Sequence, residues 1–305
     1  MDHIPVLQHE VLQHLDPKPD ENIIDGTVGN GGHASLLLEK TAPFGKLLAI
    51  DADKQQITNA RHALEKYNER IVLVNGSYAN IKEIAERVRF KPIHGILLDL
   101  GYSSWHVDQS GRGFSFSKNE PLDMRYGLAG LSLQGQDAGK VELTAERIVN
   151  EYKEKELAHI FAEYGEEKFS KQIARAIVGH RKVKKISTTF DLVKVIEEAV
   201  GMKYRGQNIH YATRTFQALR IVVNGELENL EKALPEALEI LASGGRMAII
   251  SFHSLEDRIV KHFFQQKEKE GVITILTNKP VTASDQEVIS NLRARSAKLR
   301  AIQKI

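Results

Sequence analysis

Between residues 21 and 101, short apolar runs alternate with longer stretches in which apolar residues recur every three or four positions. That rhythm predicts an α/β fold with a mostly parallel sheet covered by helices. Ile23-Ile24-Asp25, Leu47 to Asp51, Arg70 to Val74 and Ile93 to Asp99 read as strands, with helices over Ala34–Glu39, Lys54–Tyr67 and Ala79–Arg89. The pattern changes after residue 110. Gly111 to Gly139 is rich in Gly, Ser and Asp without strand periodicity, and Glu142 to Val200 is almost wholly helix-like. From Thr213 to Leu241 one stripe of Phe216, Leu219, Val223, Leu227, Leu230, Leu234, Leu238 and Leu241 predicts core packing, with a break at Pro235. Gly245 to Phe252 reads as a buried strand, Ser254-Leu255-Glu256-Asp257 as a capping box opening a helix, and Val272 to Leu276 as a further strand. The expected organisation is a discontinuous core, residues 1–110 and 211–305, with an inserted helical domain over 111–210.

Composition narrows what such a chain can do. The 305 residues are 42% hydrophobic, enough for a real core, and 42 Lys plus Arg against 40 Asp plus Glu leave a net charge of +2. A nucleic-acid site must therefore be a local patch rather than a property of the whole chain. The absence of cysteine excludes disulfides, thiolate catalysis and Cys-ligated metal sites. None of the 12 histidines falls in an H-E-x-x-H pattern, so no metal is expected. Met1 to Leu15 lacks a basic leader, and no apolar stretch approaches the roughly 18 residues of a membrane span, so the expectation is a cytoplasmic protein without a membrane partner.

The chemistry concentrates at strand ends. Asp25 is followed by Gly26, Gly29, Gly31 and Gly32, which let the backbone turn sharply and approach a ligand, and His33 opens the next helix. Asp51 ends the second strand near the roughly 20-residue offset at which an acid grips a ribose in a βαβ unit. Gly29, Gly31 and Ala34 satisfy G-x-G-x-x-A, which keeps a nicotinamide-dependent oxidoreductase open as an alternative. A carboxylate at Asp25 would repel a pyrophosphate and suits a cofactor bearing a sulfonium and an amino group. Asp99, ending the fourth strand, would join Asp25 and Asp51 beyond the carboxyl ends of the strands.

Asp99-Leu100-Gly101-Tyr102 puts an acid and an aromatic three residues apart, an arrangement similar to the D-P-P-Y of amino-group methyltransferases. Asp99 or a nearby carbonyl would accept the N–H groups of an exocyclic amine, and Tyr102 would either stack on the base or pack as a turn residue. Arg112, Phe114, Phe116 and Arg125 lie in a loop dense in guanidinium and aromatic groups, which serves either unpaired bases or the anchoring of the loop. Two runs, His180 to Lys185 with Arg181 and Lys182, and Arg293 to Lys304 with Arg295, Lys298 and Arg300, contain no acid and favour phosphate contacts over a solvated face.

With these residues in view, the chain resembles the bacterial small-subunit rRNA cytosine-N4 methyltransferases (RsmH, also called MraW). The carriers are His3 to Leu7, Asp25 to His33, Ile50-Asp51, Asp99 to Gly101 with Ser103-Ser104, Arg112 to Phe116, Pro121 to Arg125, Thr213 to Ile221 with Val223-Asn224, Ser251 to Arg258, and Arg295 to Arg300. The resemblance implies a Rossmann-like class I methyltransferase core with a helical insertion, S-adenosylmethionine as methyl donor, and a decoding-region cytosine of 16S rRNA in the small ribosomal subunit as acceptor. It carries family cofactor contacts onto Gly31, Gly32, His33, Asp51, Tyr78, Asp99 and His106, and adds Arg214 to the RNA-binding set. The chain departs from the family where Trp105-His106 replace Pro-Gln, where Tyr126-Gly127 replace Met-Asp, and where Tyr102, Tyr211 and Leu292 replace an aliphatic residue and two prolines. A non-catalytic RNA-binding factor on a methyltransferase fold is the third reading. Oligomeric state, a homodimer included, stays open.

Overall fold

The computed structural model describes residues 4–127, 143–206 and 209–305. His3 and most of the Gly-rich stretch after Gly127 lie outside them. Contacts divide the chain into two units, one of Met1–Gly101 with Leu227–Ile305 and one of Tyr102–Glu226.

The first unit carries the sheet. In chain order it holds α1 (Gln8–Leu15), β1 (Ile23–Asp25), α2 (Gly32–Lys40), β2 (Leu47–Asp51), α3 (Lys54–Ala63), β3 (Ile71–Asn75), α4 (Ile81–Arg87) and β4 (Gly95–Asp99). Strands β1 to β4 pair in parallel in the order β3-β2-β1-β4. Strands β1, β2 and β4 are apolar and buried up to their C-terminal acids, as in a parallel sheet covered on both faces, whereas the edge strand β3 is half-buried. Ile24, Leu48, Ile50, Ile96 and Leu98 enter one core, while Ile23, Leu47, Ala49 and Leu97 enter the other. Two expected helices are shorter than their patterns: α3 gives way to the 3-10 turn Glu65–Arg70, and α4 is preceded by the 3-10 turn Tyr78–Asn80.

The second unit is helical, with α5 (Ser104–Asp108), α6 (Ala145–Glu151), α7 (Glu154–Glu163), α8 (Ser170–Arg181), α9 (Thr189–Val200) and α10 (Thr213–Asn224). Its core includes Ile148, Leu157, Phe161, Ile173, Ile177, Leu192 and Ile196. Thr144 caps α6, and a Thr188/Asp191 capping box starts α9.

The chain then returns to the sheet unit through α11 (Glu226–Ile240), β5 (Arg246–Ser251), α12 (Ser254–Lys269), β6 (Ile273–Ile275), β7 (Val281–Thr282), α13 (Asp285–Ser290) and β8 (Lys298–Lys304). Strand β5 extends the parallel sheet beside β4, and β8 pairs antiparallel with β5, β6 and β7. The long apolar stripe breaks at Gly225, whose left-handed φ of 58° ends α10, and not at Pro235, which α11 accommodates in its interior. The stripe consequently serves two cores, Phe216 and Leu219 in the helical unit and Leu230, Leu234, Leu238 and Leu241 in the sheet unit. The capping box of α12 also sits one residue earlier than expected, on His253 with Glu256. Among the described residues no helix is long and apolar enough to cross a membrane.

Candidate active site

Register brings the three strand-end acids of the sheet unit together. Asp25 pairs with Ala49 on one side and Leu97 on the other, so β1 ends between β2 and β4, where open α/β sheets leave a crevice. The loop after β1 is held by its own backbone: Gly26 N–H donates to Leu97, Val28 N–H to Ile50 and Gly31 N–H to Val28. Gly29 at φ 51° and Gly31 at φ 88° adopt the left-handed conformation in which a side chain is strained. Gly31 caps α2 without a side chain, and Gly32 is the first residue of that helix.

Asp51 braces this loop. One carboxylate oxygen accepts the Gly29 N–H at 2.9 Å and the other the Asp53 N–H at 2.8 Å. Thr27 of the same loop links the other two acids. Its N–H donates to Asp25 Oδ1 at 3.1 Å, and its hydroxyl accepts the Asp99 N–H at 2.7 Å. Tyr78 is half-buried in the 3-10 turn after β3.

Asp25 is 1% exposed. Burial pushes its carboxyl up to about 7, the charge of Asp51 adds to the effect, and hydrogen bonds from Thr27 oppose it. Asp99 is pushed up to about 8, again mainly by burial, with Asp25 and Glu256 adding like charge. Its Oδ1 is buried without a hydrogen-bond partner, and its Oδ2 lies 3.7 Å from Nε2 of His33 in the first turn of α2. The buried Asp25 and the half-buried Asp99, with its orphaned Oδ1, make a strand-end site that welcomes a cation or an N–H donor and repels a phosphate.

In the helical unit an aromatic cluster surrounds a buried ion pair. Arg220 donates to Glu226 at 2.7 and 2.8 Å, and the Tyr126 hydroxyl donates to the same carboxylate at 2.7 Å. The Arg220 guanidinium carbon lies 4.6 Å from the ring centre of Tyr102, whose side chain is 44% exposed. Phe114 stacks on Tyr126 at 5.6 Å and 4°, and His106 is buried edge-on to both at 5.1 and 5.3 Å. His106 Nδ1 accepts the Ser103 N–H at 3.2 Å, which puts the ring proton of the neutral form on Nε2.

Most residues expected to hold RNA phosphates have partners inside the protein. Arg112 is 8% exposed, donates to the carbonyls of Arg125 and Tyr126, and lies over the Trp105 ring at 5.2 Å. Phe114 is a buried anchor, and Arg125 forms a two-pronged pair with Asp123 at 2.7 Å on both bonds. Arg181 donates to the Val149 carbonyl, and Arg214 to that of Glu166. Arg300 is 7% exposed and bonds Asp257 at 2.6 Å, with Lys298 3.9 Å from the same carboxylate. The two basic runs lack acids in sequence but meet them in space, since Lys184 pairs with Asp191 and Lys185 with Glu146. Lys182 and Arg295 remain exposed.

The profile of the MraW methylase family matches residues 1–305. The chain is 45% identical over 319 aligned positions to ribosomal RNA small subunit methyltransferase H of Heliobacterium mobile, covering 99% of each chain. It is 44% identical to the protein of the same name from Syntrophotalea carbinolica, covering 99% of this chain and 98% of that one. Against the Thermotoga neapolitana protein of that name the identity is 45%, with 99% and 95% covered.

Proposed function

The chain belongs to the MraW methylase family, and on that premise we propose that it transfers a methyl group from S-adenosylmethionine to the N4 amine of a decoding-region cytosine in 16S rRNA of the small ribosomal subunit. The relatives' shared name supports the ribosomal RNA substrate. The observation that carries the chemistry is the orphaned Oδ1 of Asp99 at the end of β4, beside the buried Asp25. A donor that is cationic at both sulfonium and amino group fits a crevice lined by these acids. The pyrophosphate of a nicotinamide cofactor does not.

The residues divide the work. Gly29 to Gly32 keep the loop open to close approach, and Asp51, a carboxylate at the end of β2 held against the loop by the Gly29 and Asp53 N–H groups, is the acceptor for ribose hydroxyls. Asp25 places negative potential beneath the loop. His33, Tyr78 and His106 complete the cofactor-binding set that the family pattern assigns. Bound S-adenosylmethionine supplies a methyl group on an activated leaving group, so alignment provides much of the rate. The lone pair of the acceptor amine is delocalised into its ring. Asp99 accepts an N–H of that amine, turns the lone pair outward and receives the proton released on transfer. In the helical unit, Tyr102 offers an exposed ring, backed by Arg220, on which a base can stack. The reading places the chain in the cytoplasm, where its substrate is made.

Nucleoside mass spectrometry of small subunits treated with the protein and S-adenosylmethionine tests this. N4-methylcytidine is expected, and it should disappear with Asp99→Asn. Methyl groups at carbon-5, on another base, or nowhere would reject the assignment.

A further inference from the structure

The helical unit contains a cleft of about 640 Å3, within the ~300–1,000 Å3 of small-ligand sites. Its walls come from the last turn of α9, the 3-10 turn Gly201–Tyr204 that follows, and the residues just before α10. One wall ends a stack of three rings. Phe116 lies parallel to His210 at 4.5 Å and 2°, and His210 lies 4.0 Å from Tyr211. Phe216 braces Phe116 edge-on at 5.8 Å. His210 Nδ1 accepts the Ala212 N–H at 3.2 Å, so the ring serves the stack as a neutral imidazole. Tyr204 is fixed beneath by its hydroxyl bond to Glu167.

The polar groups of the cleft are few and placed apart. Burial and the neighbouring Glu197 carboxylate hold the Tyr211 hydroxyl above the usual phenol range, and Glu197 itself is exposed on the last turn of α9. Arg205 is exposed on the rim and has no hydrogen bond or ion pair among the described residues. Its freedom sets it apart from Arg112, Arg125 and Arg300, which are consumed by internal partners. An aromatic face backed by His210, a free guanidinium and a carboxylate oxygen are complementary to a base, a phosphate and an exocyclic amine respectively.

We propose that this cleft is a subsite for one unpaired nucleotide of RNA, its base stacked on Tyr211, its phosphate on Arg205 and its amine toward Glu197. The inference rests on the rRNA-methyltransferase reading only for the source of the RNA, the strand that carries the acceptor cytosine. A ring backed by His210, which Phe116 holds in turn, loses less freedom on binding than an unsupported one, and stacking of this kind tolerates any base.

The test uses the full chain, a fluorescein-labelled single-stranded RNA pentanucleotide, and methyl transfer to small subunits. Tyr211→Leu and Arg205→Gln should each weaken pentanucleotide binding at least fivefold and raise KM for small subunits by a similar factor. Tyr211→Phe should keep both within twofold of the natural chain, and kcat and S-adenosylmethionine affinity should hold in all three. Arg205 is exposed, so its variant tests the cleft even if Tyr211→Leu folds poorly. Unchanged pentanucleotide affinity and KM in Arg205→Gln and folded Tyr211→Leu would overturn the subsite. So would a natural chain that does not bind the probe saturably, or a Tyr211→Leu chain that changes only its sedimentation, which would mark the cleft as a contact between copies. Tyr211-dependent binding without any methyl transfer would support the subsite and reject the activity instead.

Discussion

In the helical unit, the buried guanidinium of Arg220 meets Glu226 through two hydrogen bonds, a tyrosine hydroxyl bonds the same carboxylate, and an aromatic ring covers the cation. In the sheet unit, the buried carboxyl of Asp25 and the half-buried carboxyl of Asp99 pair with no Lys or Arg among the described residues, and they repel one another. Both places take charge out of water, but the consequence differs. A charge with its partner built in stays charged and fixes structure. A charge without one gives up its ionisation until a ligand supplies the partner. The fold pays for readiness at the site in stability, as functional sites commonly do.

The largest effect should come from breaking the satisfied pair. Arg220→Met leaves Glu226 buried and should destabilise the chain by about 3–5 kcal/mol in urea unfolding. The double replacement with Glu226→Leu should recover much of that loss. A single variant as stable as the natural chain would remove the contrast between the units.

The opposite sign is expected at Asp99. Its carboxyl remains protonated in the folded chain up to about pH 8, whereas in the unfolded chain it ionises near 3.8. The folded state binds the extra proton, so this group's contribution to stability falls as pH rises through that window. Asp99→Asn removes the fall. It should match the natural chain near pH 4, exceed it by roughly 2 kcal/mol or more at pH 8, and lose methyl transfer. A variant less stable at pH 8 would mean that the acid has an internal partner after all.

Asp51 lies between these extremes, because its hydrogen bonds are made by the loop it supports. Asp51→Ala should weaken S-adenosylmethionine binding by about 1–3 kcal/mol, as for loss of a charged acceptor. Calorimetry on the folded variant checks this, and unchanged affinity would remove Asp51 from the ribose.

The smallest effects belong to the surface. Replacing Lys182 and Arg295 by Gln should flatten the slope of log rRNA affinity against log salt by roughly 1–2 units. Arg300→Met should leave the slope intact and lower stability, because its guanidinium serves Asp257. A flattened slope with Arg300→Met would show that the strand opens to RNA.

What was legible in the sequence follows the range of the forces involved. Asp25, Asp51 and Asp99 were readable because each ends an apolar run, and a parallel sheet carries such ends to one edge. Partners from distant elements were not readable. The run Arg293 to Lys304 contains no acid, yet Asp257 comes to it across the antiparallel β5–β8 pairing, and Lys304 donates to carbonyls at the end of α11. The stripe from Phe216 to Leu241 has one period throughout, so periodicity could not reveal that Gly225 divides it between two cores. Pro235 carried the stronger break signal, and the helix tolerates it. The cleft beside Tyr211 has no motif because its walls come from short segments that only the fold brings together.

The central claim is that the acids of the sheet unit wait for a cationic donor, and proton release on binding tests it most directly. Titration of S-adenosylmethionine at pH 7.5 in buffers of different ionisation enthalpy should show protons leaving the protein as the donor binds. A positive charge brought against Asp25 and Asp99 lowers their pKa values from about 7 and about 8. The release should shrink in Asp99→Asn. A binding heat that is the same in every buffer, with affinity constant from pH 6 to 8.5, would contradict the account.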